Sequence, residues 1–344
     1  MPRRRWVSAA VRNHDPLRIL FCGADEFSIY SLQALHELQQ RRADKIASID
    51  VVCRPDKRVG RGLKQISQVP IKPVANDLGL QLHQIDTFRG WDPPNPINLI
   101  VAVSFGLLVP ARLINGARYG GLNVHPSLLP DLRGPAPIQH TLLRRRESTG
   151  VTLQTMHPTR FDHGMLLDQT YSSVPPHSTP SNLVRMLGPV GADTLAHGIE
   201  NSIFVPPIQD MAGSHSLSEP SHAPKITPED RHINWDTWSA AEVTLRDRVL
   251  GRLWDKTTYA QAMGSELLKR VSFVGPWQAR SCDVGGKKAQ PGQLILLPEH
   301  KSTTFGICSV DGKVMVPEGV TIEGEPKAGA RQKLAFALKN HGSG

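Results

Sequence analysis

The chain has 344 residues, 39% of them hydrophobic and 21% charged, with 28 prolines and 29 glycines, so it can build two cores and is rich in turns. Its longest apolar run, Leu99 to Val109, is broken by Ser104 and Gly106 and falls short of the roughly 20 residues a membrane span needs. The formal charge of +9 is unevenly placed: Arg3, Arg4, Arg5 and Arg12 lie in an acid-free tail, Arg54, Lys57, Arg58, Arg61, Lys64 and Lys72 face only Asp56, and the remainder is balanced.

Residues 1–14 have the composition of an organelle transit peptide or, on the plainer reading, of a disordered basic terminus, and they are set apart from the fold. The apolar run Arg18 to Gly23, followed by Ile29, Leu32, Leu35 and Leu38 at helical spacing, reads as strand, turn and helix. Further strands are expected at Ala47 to Cys53, Ile97 to Val103 and Gly121 to His125, with helices near residues 70–79, 110–115 and 136–147 between them. Such alternation predicts an α/β domain, a Rossmann-like and mostly parallel sheet covered on both faces. Strands at Val151 to Met156 and Leu166 to Val174 and a helix from Pro180 to Glu200 complete a domain over residues 15–205.

The run from Gly213 to Pro224 is dense in Ser, His, Gly and Pro, which predicts an exposed connector over residues 206–228. Beyond it, residues 229–344 read as a helix from Ala240 to Leu253 and then short strands near Val271, Gln293, Thr304 and Val314, the pattern of a small β-barrel. The four cysteines, Cys22, Cys53, Cys282 and Cys308, are far apart and lack zinc spacing, so a reducing compartment and no metal are expected.

A strand, turn and helix opening raises the possibility of dinucleotide binding. That fingerprint needs three glycines and a distant acid, whereas only Gly23 is present, and Asp25 and Glu26 would repel a pyrophosphate. More informative is the segment from Asn123 to Ile138. Asn123 and His125 lie two apart on one strand and project to the same side, near the carboxyl edge where open α/β sheets bind ligands. An amide donor beside an imidazole suits attack on a carbonyl, because fixed donors stabilise the oxyanion that forms. Asp162, after the next strand, is the expected partner of the ring, from a loop at the same edge of the sheet.

The pattern Asn-x-His-x-Ser-Leu-Leu-Pro-x-x-Arg-Gly-x-x-Pro from Asn123, followed by Gly150-Val-Thr and by Asp162-x-Gly164, resembles the signature of the folate-dependent formyltransferase family. The resemblance implies that Asn123, His125 and Asp162 are the catalytic trio. It also implies that Ser127, Leu128, Leu129 and Pro130, with backbone at Phe105 and Gly106, line a site for 10-formyltetrahydrofolate. The stretch Arg54-Pro-Asp-Lys-Arg-Val-Gly-Arg-Gly-Leu-Lys64 resembles the loop by which the methionyl-tRNA branch of that family enters the acceptor end. A glycine-spaced loop carrying Arg54, Lys57, Arg58, Arg61 and Lys64 can follow phosphates without reading bases. Ala223-Pro-Lys225 through Trp235 is similar to the start of that branch's tRNA-binding domain, which implies an OB-like barrel and a tRNA contact at Lys225.

The sequence departs from the pattern at Cys22-Gly-Ala-Asp-Glu-Phe27, at His163-Gly164-Met165, by one extra residue between Gly150 and Asp162, and at Leu253-Trp254-Asp255, where Asn-Pro-Trp-Pro is usual. The expected reaction is formyl transfer from 10-formyltetrahydrofolate to initiator methionyl-tRNA by a monomeric, membrane-free chain. The expected location is mitochondrial, or alternatively the bacterial cytoplasm. Competing readings are formyl transfer to a small amine, hydrolysis of the folate, and RNA binding without catalysis.

Overall fold

The computed structural model describes residues 14–211, 219–281, 289–299 and 302–341, without the side chains of residues 61, 298, 299, 302 and 303. Residues 1–13 of the candidate transit peptide, the middle of the expected connector and Cys282 therefore lie outside the described residues. The chain divides into two compact units, Met1–Lys225 and Ile226–Gly344.

In the first unit, strand β1 (Leu17–Gly23) leads into helix α1 (Glu26–Arg41), and β2 (Ile46–Cys53) follows. A hairpin of β3 (Lys57–Val59) and β4 (Gln65–Ser67) precedes α2 (Ile71–Asp77), β5 (Gln81–Gln84), β6 (Leu99–Val103), α3 (Ala111–Gly116) and β7 (Gly121–His125). Then come α4 (Pro137–Leu143), β8 (Ser148–Thr155), β9 (Leu166–Ser173) and the long α5 (Pro180–Glu200). The sheet order is β5-β2-β1-β6-β7-β8-β9, parallel through β7 and antiparallel at β8 and β9. Both faces of β1 are buried: Leu20 and Cys22 join Val52, Ile100 and Ala102 in one cluster, while Ile19 and Phe21 alternate with them. Two covered faces explain why these strands are continuous apolar runs rather than alternating ones.

Asp25 is the N-cap of α1, its carboxylate accepting the Ser28 amide at 3.1 Å. Burial pushes that carboxyl above the usual carboxylate range, against the pull of the Ser28 and Ser104 hydrogen bonds. A dinucleotide enzyme offers this helix end to a pyrophosphate; here an acid of the chain has taken it.

Two sequence expectations change in this unit. The loop carrying Asp162 leaves β8 beside the amino end of β7, since Thr155 pairs with Leu122 and the Met156 amide donates to Gly121. Because β8 runs antiparallel, the loop starts from the amino edge, and its Asp162 reaches back to His125 and to the Gly134 amide beyond the end of β7. The stretch 219–225 is no free connector: Arg133 bridges to His222, the Ala223 amide donates to the Arg133 carbonyl at 2.6 Å, and Ala223 is fully buried. Backbone pairing, which composition does not encode, holds it there.

In the second unit, α6 (Ala240–Leu250), β10 (Trp254–Asp255) and α7 (Thr257–Met263) precede β11 (Val271–Ser281), β12 (Leu294–Glu299), β13 (Ser302–Cys308) and β14 (Lys313–Ile322). The strands form one antiparallel sheet in the order β10-β11-β14-β13-β12. Its core includes Trp235, Phe273, Trp277, Phe305 and Met315. Asp255 lies within it, accepting the Trp235 indole at 2.7 Å and the Thr258 hydroxyl at 2.8 Å. The tail that reads as β-rich ends instead in helix α8 (Ala330–His341), which buries Ala330, Leu334 and Ala335 at helical spacing. Among the described residues no helix is long and apolar enough to cross a membrane.

Candidate active site

Strand β7 places Asn123 and His125 on one face, and its antiparallel register sets Asn123 directly opposite Gln154 and His125 opposite Thr152. Cross-strand neighbours touch through their side chains, and Asn123 and Gln154 do so polar group to polar group. The Gln154 Nε2 donates to Asn123 Oδ1 at 3.0 Å and to Asp162 Oδ1 at 3.1 Å. Gln154 Oε1 accepts the Gly164 amide at 3.3 Å. Asn123 Nδ2 donates to the Ala102 carbonyl on β6 at 3.0 Å. Gln154 is 1% exposed, so this network sits in a region of low dielectric, where hydrogen bonds hold their geometry strongly.

The imidazole of His125 lies between two acceptors. Nε2 is 3.0 Å from the Leu132 carbonyl, and Nδ1 is 3.4 Å from Asp162 Oδ1. Because a carbonyl only accepts, Nε2 is the donor of the first contact. The second is longer than a usual N–H···O hydrogen bond, so the carboxylate stands beside the ring and leaves Nδ1 able to serve another oxygen. Asp162 is further held by the Gly134 amide, which donates to Oδ2 at 2.8 Å.

Asp162 reaches this position through an unusual backbone. Its φ is +56°, a left-handed conformation that costs energy for any residue with a Cβ. Two residues on, a Cβ at Gly164 would stand 1.6 Å from the Thr155 carbonyl oxygen, so only glycine lets the loop fold back onto β8. The structure thus brings Asn123, His125 and Asp162 together, with Gln154 joining the amide to the acid. Sequence reasoning missed Gln154. Its only sequence signal is a polar amide that alternates with apolar Val151 and Leu153, two positions after Thr152 on the same face.

The residues expected to line a folate site are divided. Phe105, Ser127 and Leu129 are buried, with Phe105 packed 5.8 Å from Phe88 by ring centroids and the Ser127 hydroxyl donating to the Asp131 carbonyl at 2.7 Å. Leu128 and Pro130 are half-buried, and Gly106 is exposed, with φ +77° and open space where a side chain would be. What this segment offers a ligand is therefore mainly backbone at Gly106 and the surfaces of Leu128 and Pro130. A cavity of about 290 Å³ opens on the following residues, Leu107, Leu108 and Pro110, together with Phe88 and Arg89; the trio does not line it.

The basic loop is a hairpin rather than an irregular loop, with Lys57, Arg58 and Val59 paired to Ser67, Ile66 and Gln65. Lys57 and Arg58 are exposed along its first strand and Lys64 at its turn, as is Lys225 elsewhere, while Arg54 is half-buried and 3.3 Å from Asp86. The backbone of Arg61 belongs to the short turn Arg61–Leu63; its side chain lies outside the described residues. Lys72 is spent on Asp56, at 2.5 Å, and that ammonium holds the carboxyl below its usual range. Among the described residues no group of three or more His, Cys, Asp or Glu could hold a metal ion.

The chain matches the formyl transferase family over residues 17–195. It is 35% identical over 301 residues to the mitochondrial methionyl-tRNA formyltransferase of Saccharomyces cerevisiae, covering 75% of this chain and 74% of that one. To the mitochondrial enzyme of the same name from Homo sapiens it is 32% identical over 286 residues, covering 83% and 70%. Among solved structures, an N-formyltransferase from Helicobacter canadensis shares the fold, with a TM-score of 0.52 and 14% identity over 88% of this chain and 98% of that one. With the signature on β7 assembled into one corner and relatives of this similarity over most of its length, the chain belongs to the methionyl-tRNA formyltransferases of the formyl transferase family.

Proposed function

We propose that the corner formed by Asn123, His125 and Asp162 transfers the formyl group of 10-formyltetrahydrofolate to the amino group of methionyl-tRNA. The observation that carries this reading is the junction of amide, imidazole and carboxylate on one sheet face, in a member of this family. The methionyl amine attacks the formyl carbon, whose oxygen becomes negative. One Asn123 Nδ2 hydrogen is committed to Ala102, so the other is the donor for that oxygen, beside Nδ1–H of His125. Nε2–H stays on the Leu132 carbonyl and fixes the ring plane. Asp162 supports the protonated ring and, with it, assists proton movement. The amine loses a proton as its bond to carbon forms, and folate N10 gains one as its own bond to carbon breaks. No covalent enzyme intermediate is involved; aligning the two substrates can itself lower the barrier by about 7–11 kcal/mol.

The donor rests along the exposed backbone at Gly106 and the Leu128 and Pro130 surfaces. Lys57, Arg58, Arg61 and Lys64 on the hairpin, with Arg54 at its base, follow the acceptor-end phosphates, and Lys225 and the second unit, as an OB-like domain, add to that contact. The compartment on this reading is the mitochondrion, with the basic first 14 residues as its address. Incubating the protein with 10-formyltetrahydrofolate and methionyl-tRNA tests it. N-formylmethionine on the tRNA is the expected product; release of formate regardless of tRNA, or transfer only to small amines, contradicts it.

A further inference from the structure

An amide side chain has two ends of opposite character, and a wrong rotation by half a turn changes a donor into an acceptor without moving any other atom. Asn123 can assist a developing oxyanion only if Nδ2 faces it, so something must fix which way the amide lies. The hydrogen-bond chain through Gln154 does so, because both of its ends are backbone groups whose roles are unambiguous. At one end the Gly164 N–H can only donate, which makes the facing Gln154 atom Oε1. Gln154 Nε2 then faces Asn123 and Asp162, and the carboxylate, an acceptor only, agrees with that assignment. The Asn123 atom receiving it is Oδ1, which turns Nδ2 towards the other end of the chain, the Ala102 carbonyl, an acceptor only.

We propose that Gln154 is a positioning residue that sets the polarity of the Asn123 amide, so that an N–H rather than a carbonyl oxygen meets the formyl oxygen. The proposal rests on the reading of Asn123 as the oxyanion donor. Gln154 touches no substrate atom in this role. It is 1% exposed and acts through Asn123 and Asp162, which it links by a single nitrogen. Reversal of Asn123 would leave two oxygens facing each other at Ala102 and two N–H groups facing each other at Gln154. The amide therefore needs no substrate to select its orientation.

The test measures single-turnover formylation at saturating donor and methionyl-tRNA, with KM for both substrates and thermal melts in parallel. Gln154→Met keeps the volume and removes the hydrogen bonds. Gln154→Glu keeps the acceptor for the Gly164 amide and replaces the donor by an oxygen facing Asn123 Oδ1. A fall in kcat of about 10- to 100-fold is expected for Gln154→Met, less than the about 10²–10³-fold that loss of the donor itself brings. Gln154→Glu is expected to fall further, with both KM values within about threefold. In an Asn123→Ala background the same changes are expected to cost at least about threefold less than in the parent, because the amide they orient is gone and only the contact to Asp162 remains. If Gln154→Met does not fold, Gln154→Glu carries the test. A kcat within twofold of the parent for the folded variants, while Asn123→Ala is slowed about 10²–10³-fold, overturns the positioning role alone. The same penalty with and without Asn123 also overturns it, and shows a merely structural role. A kcat for Asn123→Ala within about twofold of the parent overturns both this proposal and the reading of the site beneath it.

Discussion

Around Asn123, His125 and Asp162 each polar contact leads to another, from Gly164 through Gln154 to Asn123 and Ala102, and from Leu132 through the ring to Asp162 and Gly134. On the β3–β4 hairpin, Lys57, Arg58 and Lys64 stand exposed without an ion pair among the described residues, beside equally exposed Leu63 and Ile66. Stabilising charge on one atom of a transition state requires donors fixed before the reaction, in a place that water does not reach. Following a phosphate backbone requires charge that can adjust, at a surface where salt competes with it. The same unit therefore places left-handed backbone and buried amides at its corner, and leaves Lys57, Arg58 and Lys64 exposed on the hairpin.

If this contrast is correct, changes in the corner act on kcat and changes on the hairpin act on tRNA affinity. The largest expected effect is that of Asp162→Asn, which removes the charge facing His125 Nδ1. Its kcat is expected to fall by about 10²–10⁴-fold, the usual share of acid–base assistance, with tRNA binding unaltered by filter retention. Next comes Gly164→Ala, whose new methyl would meet the Thr155 carbonyl oxygen at 1.6 Å. Forcing that loop away is expected to cost about 3 kcal/mol in urea unfolding and to reduce turnover as Asp162 shifts. The triple change Lys57→Ala, Arg58→Ala and Lys64→Ala is expected to raise KM for methionyl-tRNA at least about tenfold and to leave kcat alone. Its salt dependence should be shallower by about 2 in log–log slope, at about 0.7 per lost contact to a single strand. A fall in kcat with KM intact would erase the distinction between the two regions. Smallest is Asp25→Ala, the loss of one helix cap, for which about 1 kcal/mol of stability is expected in the same unfolding assay.

Much of this architecture is legible in the sequence because it depends on local periodicity. The apolar runs of β1, β2 and β6 and the three-residue spacing on α1 state their structures directly, and the two-residue spacing of Asn123 and His125 states their shared face. Other features depend on contacts between distant segments. Nothing local says that β8 runs antiparallel, and that reversal decides both the approach of Asp162 and the pairing of Gln154 with Asn123. The burial of Ala223 likewise comes from backbone pairing with Arg133, 90 positions earlier. Helix α8 is a different case: Ala, Leu and Lys are strong helix formers and its buried residues recur at helical spacing, so the signal was present beneath a β-barrel expectation.

The central claim is that an N–H of Asn123, held towards the substrate, stabilises the formyl oxygen as it becomes negative. Asn123→Asp changes that NH2 to an oxygen and little else in shape. Single-turnover formylation at saturating 10-formyltetrahydrofolate and methionyl-tRNA is expected to slow by at least about 10²-fold, with tRNA affinity within twofold of the parent. A rate within a few-fold of the parent, in a variant that folds and binds tRNA normally, would contradict the account.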